Sequence, residues 1–291
     1  MGRSREPRGK PARRASPVPG CYPVSYGEAE LVRDADRQNA WLLNVGGIPQ
    51  SHVDLEDPTY LGFDYVQQIA DAVDCVKEPG CALDALHVGG GGCTLARYVA
   101  ATRPGSRQTV FELDEGIVAL GREQLALRRV PQLRVRVGDG RTGLARRHDD
   151  SADLVVLDAF EGPAFPGELA TAEFVREVAR VLRPSGAYIL NVADGHGLAF
   201  AKRVTATVRS VVGDTVVLAE PGVLRGRHFG NVIVVASPAP LPVAALTRRS
   251  AGSAFPARCL DGDELDRFCG RSAVLTDADE VRVPVPPSAF R

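Results

Sequence analysis

No apolar run in these 291 residues approaches the ~18 residues that a membrane-spanning helix requires. Charge of one sign is missing too. Lysines and arginines number 35 against 36 acids, a formal net charge of −1, so no overall field draws in nucleic acid or an anionic membrane. The six cysteines, at 21, 75, 81, 93, 259 and 269, form no CxxC pair and share no zinc-type spacing with histidine. The five histidines, at 52, 87, 148, 196 and 228, are scattered, and no metal site is expected. Residues 1–20 carry six arginines and lysines among prolines, serines and glycines. That segment lacks the apolar core of a signal peptide and cannot bury enough surface to order itself, so it reads as a disordered basic tail. Reduced thiols in a cytoplasmic protein follow as the expectation. There is no internal repeat.

What is present centres on Leu83 to Asp114, LDALHVGGGGCTLARYVAATRPGSRQTVFELD. Leu83, Ala85, Leu86 and Val88 form a short apolar run, as in a strand covered on both faces. Gly89 to Gly92 then give a turn free of Cβ atoms, where backbone can approach a ligand closely. A helix from about Cys93 to Thr102 turns its free N–H groups and positive dipole end toward that turn. Thr109 to Leu113 make the next strand, and Glu112 falls 21 residues after Gly91. An acid there is placed to bond the two hydroxyls of a ribose. The glycines are not a full G-x-G-x-x-G, and the spacing alone does not separate a dinucleotide from an adenosyl sulfonium.

Around this stretch the chain divides into four parts: the tail of residues 1–20, a β-hairpin unit over 21–56, an α/β domain over 57–240 and a C-terminal extension over 241–291. Ala29–Val32 and Trp41–Val45 flank the polar stretch DADRQN, which predicts the hairpin, and IPQSHV is a third candidate strand. Asp57 is read as a helix N-cap with Pro58 at the first helical position. After Asp114, βα units alternate. Strands run over 133–137, 152–157, 187–192, 215–219 and 231–236, and helices over 115–127, 171–182 and 198–212. The last two strands are joined without a helix, which predicts an antiparallel pair. One helix is expected in the extension, over 263–269. The fold class is therefore α/β, a Rossmann-like sheet with an antiparallel last strand and a small N-terminal β unit.

In an open parallel sheet, ligands sit beyond the carboxyl ends of the strands. Four strands here end in the glycine turn, Glu112, Asp139 and Asp158. Asp139 is placed either to accept a bond from an adenine amino group or to cap a helix. Asp158 and Glu161 are an acidic pair suited to binding a cationic amine and removing its proton, in a loop that Pro163 and Pro166 stiffen. His87, inside the first strand, is read as a core or supporting residue rather than a base.

The runs GGGGCTLARYV, VFELDEGIVALGREQL, VRVGDGRTGL and ADLVVLDAFEGP, in that order, resemble the core of polyamine aminopropyltransferases, the spermidine synthase family. The similarity extends over about residues 40 to 236. It implies an adenosylmethionine-type sheet in which Gly89, Gly90 and Gly91, with Gly140, surround decarboxylated S-adenosylmethionine. Glu112 would hold its ribose and Asp139 face its adenine. Asp158 would contact the amines, Glu161 would act as base, and Gln50 and Tyr65 would line the amine pocket. It further implies a small-molecule amine such as putrescine as partner, and pairing of the N-terminal units in a homodimer. Three positions depart from the family pattern. Gly92 stands where an aspartate usually holds the donor's amine, the loop reads D-A-F-E-G rather than D-S-S-D-P, and Phe63-Asp64 precedes Tyr65 in place of D-E-F. The rivals are an S-adenosylmethionine-dependent methyltransferase, with Arg97, Arg225, Arg227 or the helix N-terminus receiving the methionyl carboxylate, and a nucleoside-binding relative without turnover.

Overall fold

The computed structural model describes residues 16–162 and 164–286. Residues 1–15 of the basic tail, and Pro163 of the acidic loop, lie outside the described residues. The chain opens with a four-stranded antiparallel sheet, ordered as in sequence: β1 (Gly20–Val24), β2 (Gly27–Arg33), β3 (Ala40–Val45) and β4 (Ile48–Asp54). The expected hairpin is β2–β3, and its DADRQN turn closes because Asp34 Oδ1 accepts from the Asp36 and Arg37 amides. β1 went unread in the sequence. It begins inside the segment assigned to the tail and carries Pro23, which a sheet tolerates at an edge.

Asp57 and Pro58 do not start a helix. Asp57 Oδ1 instead accepts from the Thr59 amide and hydroxyl, closing a local turn. The helix α1 (Asp64–Val76) begins seven residues later with Phe63, which has no capping side chain, at its N-cap. Then follow β5 (Asp84–Val88), α2 (Thr94–Thr102), β6 (Arg107–Glu112), α3 (Glu115–Glu123), β7 (Leu133–Val137), α4 (Gly140–Ala145), β8 (Ala152–Leu157), α5 (Ala172–Val181), β9 (Leu182–Asp194), α6 (Ala199–Val212) and β10 (Asp214–Ala219). A single turn, α7 (Pro221–Leu224), lies between β10 and β11 (Gly230–Ser237), where no helix was expected. In the extension, α9 (Gly262–Cys269) matches expectation, while α8 (Val243–Gly252) and β12 (Arg258–Leu260) are additions.

The large sheet has the order β12-β10-β11-β9-β8-β5-β6-β7. β11 runs antiparallel to both β10 and β9, as its helix-poor connection required. β12 adds a second antiparallel edge, against β10. The five strands β9-β8-β5-β6-β7 pair parallel. Their alternate residues feed two apolar layers: Leu86, Val88 and Leu157 face α5 and α6, while Ala85, Leu154 and Val156 face α1 and α2. Because the chain leaves β5 for β6 on one side and returns through β8 on the other, the crevice opens between β5 and β8, at their carboxyl ends.

Asp114 joins the two sheets. Its carboxylate caps α3 through the Gly116 and Ile117 amides and also accepts from the backbone N–H and hydroxyl of Ser25 in the β1–β2 turn. Burial pushes this carboxyl up, but the bonds from Ser25, Ile117 and Gly116 outweigh it and hold the group below the usual aspartate range. Replacing Asp114 by alanine should therefore lower the unfolding free energy by about 2 kcal/mol, a cap plus buried charge-assisted bonds. Urea denaturation measures this; an unchanged midpoint would show that Asp114 does not carry the junction.

Candidate functional site

The glycine turn forms against the other arm of the crevice. Gly89 has φ +89°, and a Cβ there would lie 2.1 Å from the carbonyl oxygen of Asp158, so only glycine fits. Asp158 N in turn donates to Val88 O at 2.9 Å. Glu112 reaches back from the end of β6, where its Oε2 accepts from Gly90 N and Gly91 N, each at 2.9 Å. One carboxylate thus organises two turn amides. Gly140 allows α4 to start flush against β5, since a Cβ there would meet Val88 Cγ1 at 2.4 Å.

Gly89, Gly90, Gly91, Glu112, Asp139, Gly140, Gln50, Asp158 and Glu161 all line one cleft, its mouth open to solvent. Glu112 and Asp158 face the same cavity, which is the convergence the sequence implied. A smaller inner pocket adjoins it, shares Gln50, Gly89, Gly90 and Asp158, and adds Tyr65, Ser51 and His87. Asp139 is the N-cap of α4, accepting from Thr142 N and Arg141 N, and lines the cleft as well. Burial raises its carboxyl, and the bonds from Thr142 and Arg141 outweigh that and lower it. The helix-capping reading of Asp139 is thus the one realised, in a residue that also lines the cleft.

Asp158 differs from the capping acids. Burial pushes its carboxyl above the ordinary range, against the pull of hydrogen bonds from Asn191 and the Tyr65 hydroxyl. Asn191 Nδ2 donates to Asp158 Oδ1 at 2.9 Å, and Asn231 Nδ2 donates to Asn191 Oδ1 at 2.8 Å. These two asparagines, on β9 and β11, orient the acid from behind and were not anticipated. Their signal was present: Asn191 interrupts the buried run Tyr188–Val192, where a polar side chain needs a partner. Glu161 is exposed at the rim, its backbone bridged to Ala164.

The N-terminal sheet supplies Tyr26, Leu43 and Val45 to the cleft wall, again unforeseen, because contacts between sheets leave no trace in local pattern. Arg97 is not a carboxylate receiver. It is buried, with Nε donating to Gly92 O at 2.9 Å and Nη2 to Leu125 O at 2.7 Å, and so ties the glycine turn to the end of α3. Arg225 and Arg227 line neither cavity. Among the described residues, the cleft is lined by six carboxylates (Glu112, Asp114, Asp139, Asp158, Glu161 and Glu168) and by no lysine, arginine or histidine. Among the described residues, no group of three or more His, Cys, Asp or Glu able to hold a metal is present, and no helix is long and apolar enough to cross a membrane.

A glycine turn at the switch point of this sheet, with an acid closing the second strand, defines the Rossmann-like, methyltransferase-type nucleoside fold. Residues 86–190 match the family model described as a methyltransferase domain. A polyamine aminopropyltransferase from Vibrio vulnificus is 29% identical over 131 residues, 44% of this chain and 43% of that protein. A probable polyamine aminopropyl transferase from Bifidobacterium longum is 30% identical over 136 residues, 46% of this chain and 30% of that protein. The match thus spans less than half the length of these curated relatives. The crystal structure of a probable spermidine synthase from Corynebacterium glutamicum is 32% identical, with a TM-score of 0.85 over 92% of this chain and 100% of that one. Human methyltransferase-like protein 13, solved with SAH, shares the fold at 19% identity and a TM-score of 0.55, covering 75% of this chain and 98% of that one. The chain belongs to the spermidine synthase-like family.

Position 92 is closely packed. Gly92 N donates to Ser51 Oγ at 2.9 Å, and a Cβ at 92 would lie 2.6 Å from Val53 Cγ2 and 3.0 Å from Ser51 Cβ. β4 occupies the space an aspartate would need. Gly92→Asp should therefore destabilise the fold by about 1–3 kcal/mol. A melting temperature equal to wild type would mean that β4 yields without strain.

Proposed function

We propose that this chain is an aminopropyltransferase, moving the aminopropyl group of decarboxylated S-adenosylmethionine to a small amine such as putrescine. The carrying observation is the cleft with six carboxylates and no cationic side chain among its described lining. The decarboxylated donor is a sulfonium with an ammonium tail, and suits that field. Intact S-adenosylmethionine brings a carboxylate of its own, and two like charges ~4 Å apart repel by about 4 kcal/mol at an effective dielectric of ~20. The glycine cradle accepts the nucleoside by the same logic: Gly89 has no room for a Cβ, and Glu112 stands at its lip.

The amine enters between Gln50, Tyr65 and Asp158, where the cleft and the inner pocket meet. Its nitrogen lone pair attacks the propyl carbon beside the sulfonium, forming a C–N bond as the C–S bond breaks. The sulfur keeps the electron pair and leaves as neutral methylthioadenosine. The proton lost from nitrogen passes to Asp158, whose burial raises its affinity for that proton. Glu161 at the mouth adds negative charge toward the incoming cation. Positioning the two reactants supplies most of the rate, since no covalent intermediate is needed.

The second reading, methyl transfer from S-adenosylmethionine, draws on the methyltransferase-domain match over residues 86–190. Incubating the protein with putrescine and either donor separates them by mass spectrometry. Methylthioadenosine is the expected product, adenosylhomocysteine would replace the proposal with methylation, and neither product would leave a nucleoside-binding relative. Asp158→Asn should lower kcat/KM by ~10²- to 10⁴-fold while sparing nucleoside affinity, and Glu161→Gln should cost less. If Asp158→Asn keeps full activity, the proton goes elsewhere. Asn191 lowers the Asp158 pKa, so Asn191→Leu should move the acid limb of the kcat/KM profile to higher pH. An unmoved limb would detach Asp158 from catalysis.

A further inference from the structure

His87 lies in the buried run of β5, only 4% exposed between Leu86 and Val88, where an apolar residue would serve the strand. Its ring is fixed from one side. Gln108 Nε2 donates to Ala96 O at 2.8 Å, so the Gln108 amide cannot be turned over, and its Oε1 faces His87 Nε2 at 3.0 Å. A carbonyl oxygen only accepts, so Nε2 carries the ring hydrogen and Nδ1 presents a bare lone pair. Burial keeps the imidazole neutral, with its pKa lowered to about 4. No described residue bonds Nδ1, and the ring lines the inner pocket beside Tyr65 and Asp158. Nδ1 is not among the buried polar atoms left without a partner, so it is open to the pocket, where a ligand can take the place of water.

The rest of that pocket is poor in charge. Asp158 is its only carboxylate among the described lining residues, and Asp64, which precedes Tyr65, is exposed and bonds the Tyr65 amide. A second ammonium inside would meet no anion. We propose that His87 Nδ1 is the inner recognition point of the amine pocket and receives an uncharged O–H or N–H at the far end of the acceptor. The favoured acceptor is thus a small amino alcohol, its amine at Asp158 and its hydroxyl at His87, and a diamine such as putrescine is a slower acceptor at the same site. The inference rests on the aminopropyl reading for its substrate but not for its tautomer.

Methylthioadenosine release from decarboxylated S-adenosylmethionine is measured with an amino alcohol, a monoamine and a diamine of equal chain length. Wild type should favour the amino alcohol over the monoamine in kcat/KM by about five- to ten-fold, the worth of one hydrogen bond. In His87→Leu that ratio should fall to about one. A ratio that survives the substitution, or a diamine preferred over the amino alcohol in wild type, overturns the proposal. Nitrogen-15 NMR of the wild-type imidazole gives an answer independent of turnover and of any folding defect in the variant. A hydrogen on Nε2 and a bare Nδ1 whose resonance moves on adding the amino alcohol support the proposal. A hydrogen on Nδ1, or a resonance that stays put, defeats it. Absence of methylthioadenosine with every amine would sink the aminopropyl reading, and the NMR titration would still decide the role of His87.

Discussion

The backbone of Asp158 passes so close to Gly89 that a Cβ on the glycine would stand 2.1 Å from the Asp158 carbonyl oxygen. That approach is possible only at a glycine, and it happens where β5 and β8 lie side by side while their connections leave in opposite directions. From it follow the open crevice, the exposed turn amides that Glu112 collects, and the position of the Asp158 side chain at the seam of two cavities. The apolar layers on the two faces of the sheet keep the two strand ends in register.

Six acids around one cleft would repel one another if left free. Three are instead tied to backbone donors: Glu112 to the glycine turn, Asp114 to the start of α3 and Asp139 to the start of α4. Amide dipoles at turns and helix N-termini stabilise the charged forms, so the negative field is built into the fold rather than set up by the ligand. Asp158 is held differently, by two side chains, Asn191 and Tyr65, and has a raised proton affinity. The contrast separates acids bonded to backbone amides from a buried acid bonded to side chains.

The N-terminal sheet is part of the site as well as its neighbour. Ser51 bonds Gly92, Thr94 Oγ1 donates to His52 O, and Val53 fills the space beside the glycine turn. A side chain at position 92 would find its volume already occupied by β4.

Much of this was legible in one dimension. Alternating βα pattern, the glycine run and the spaced acids identify the sheet, its antiparallel end and the residues at its carboxyl edge, because backbone conformation and burial period are local properties of sequence. Misreadings fell where a short-range competitor acted. Asp57 closed a turn instead of a helix, and Pro23 and its neighbours concealed β1 beside a proline-rich leader. The sequence by itself determined the glycine turn and the acids Glu112, Asp139 and Asp158 at the strand ends. Only the tertiary structure decided their states: which acid is buried, which caps a helix, which histidine nitrogen is bare, and that Arg97 serves the backbone rather than a ligand. Those states depend on partners brought from distant parts of the chain, Asn191 and Asn231 to Asp158 and Gln108 to His87, and local pattern does not encode such meetings.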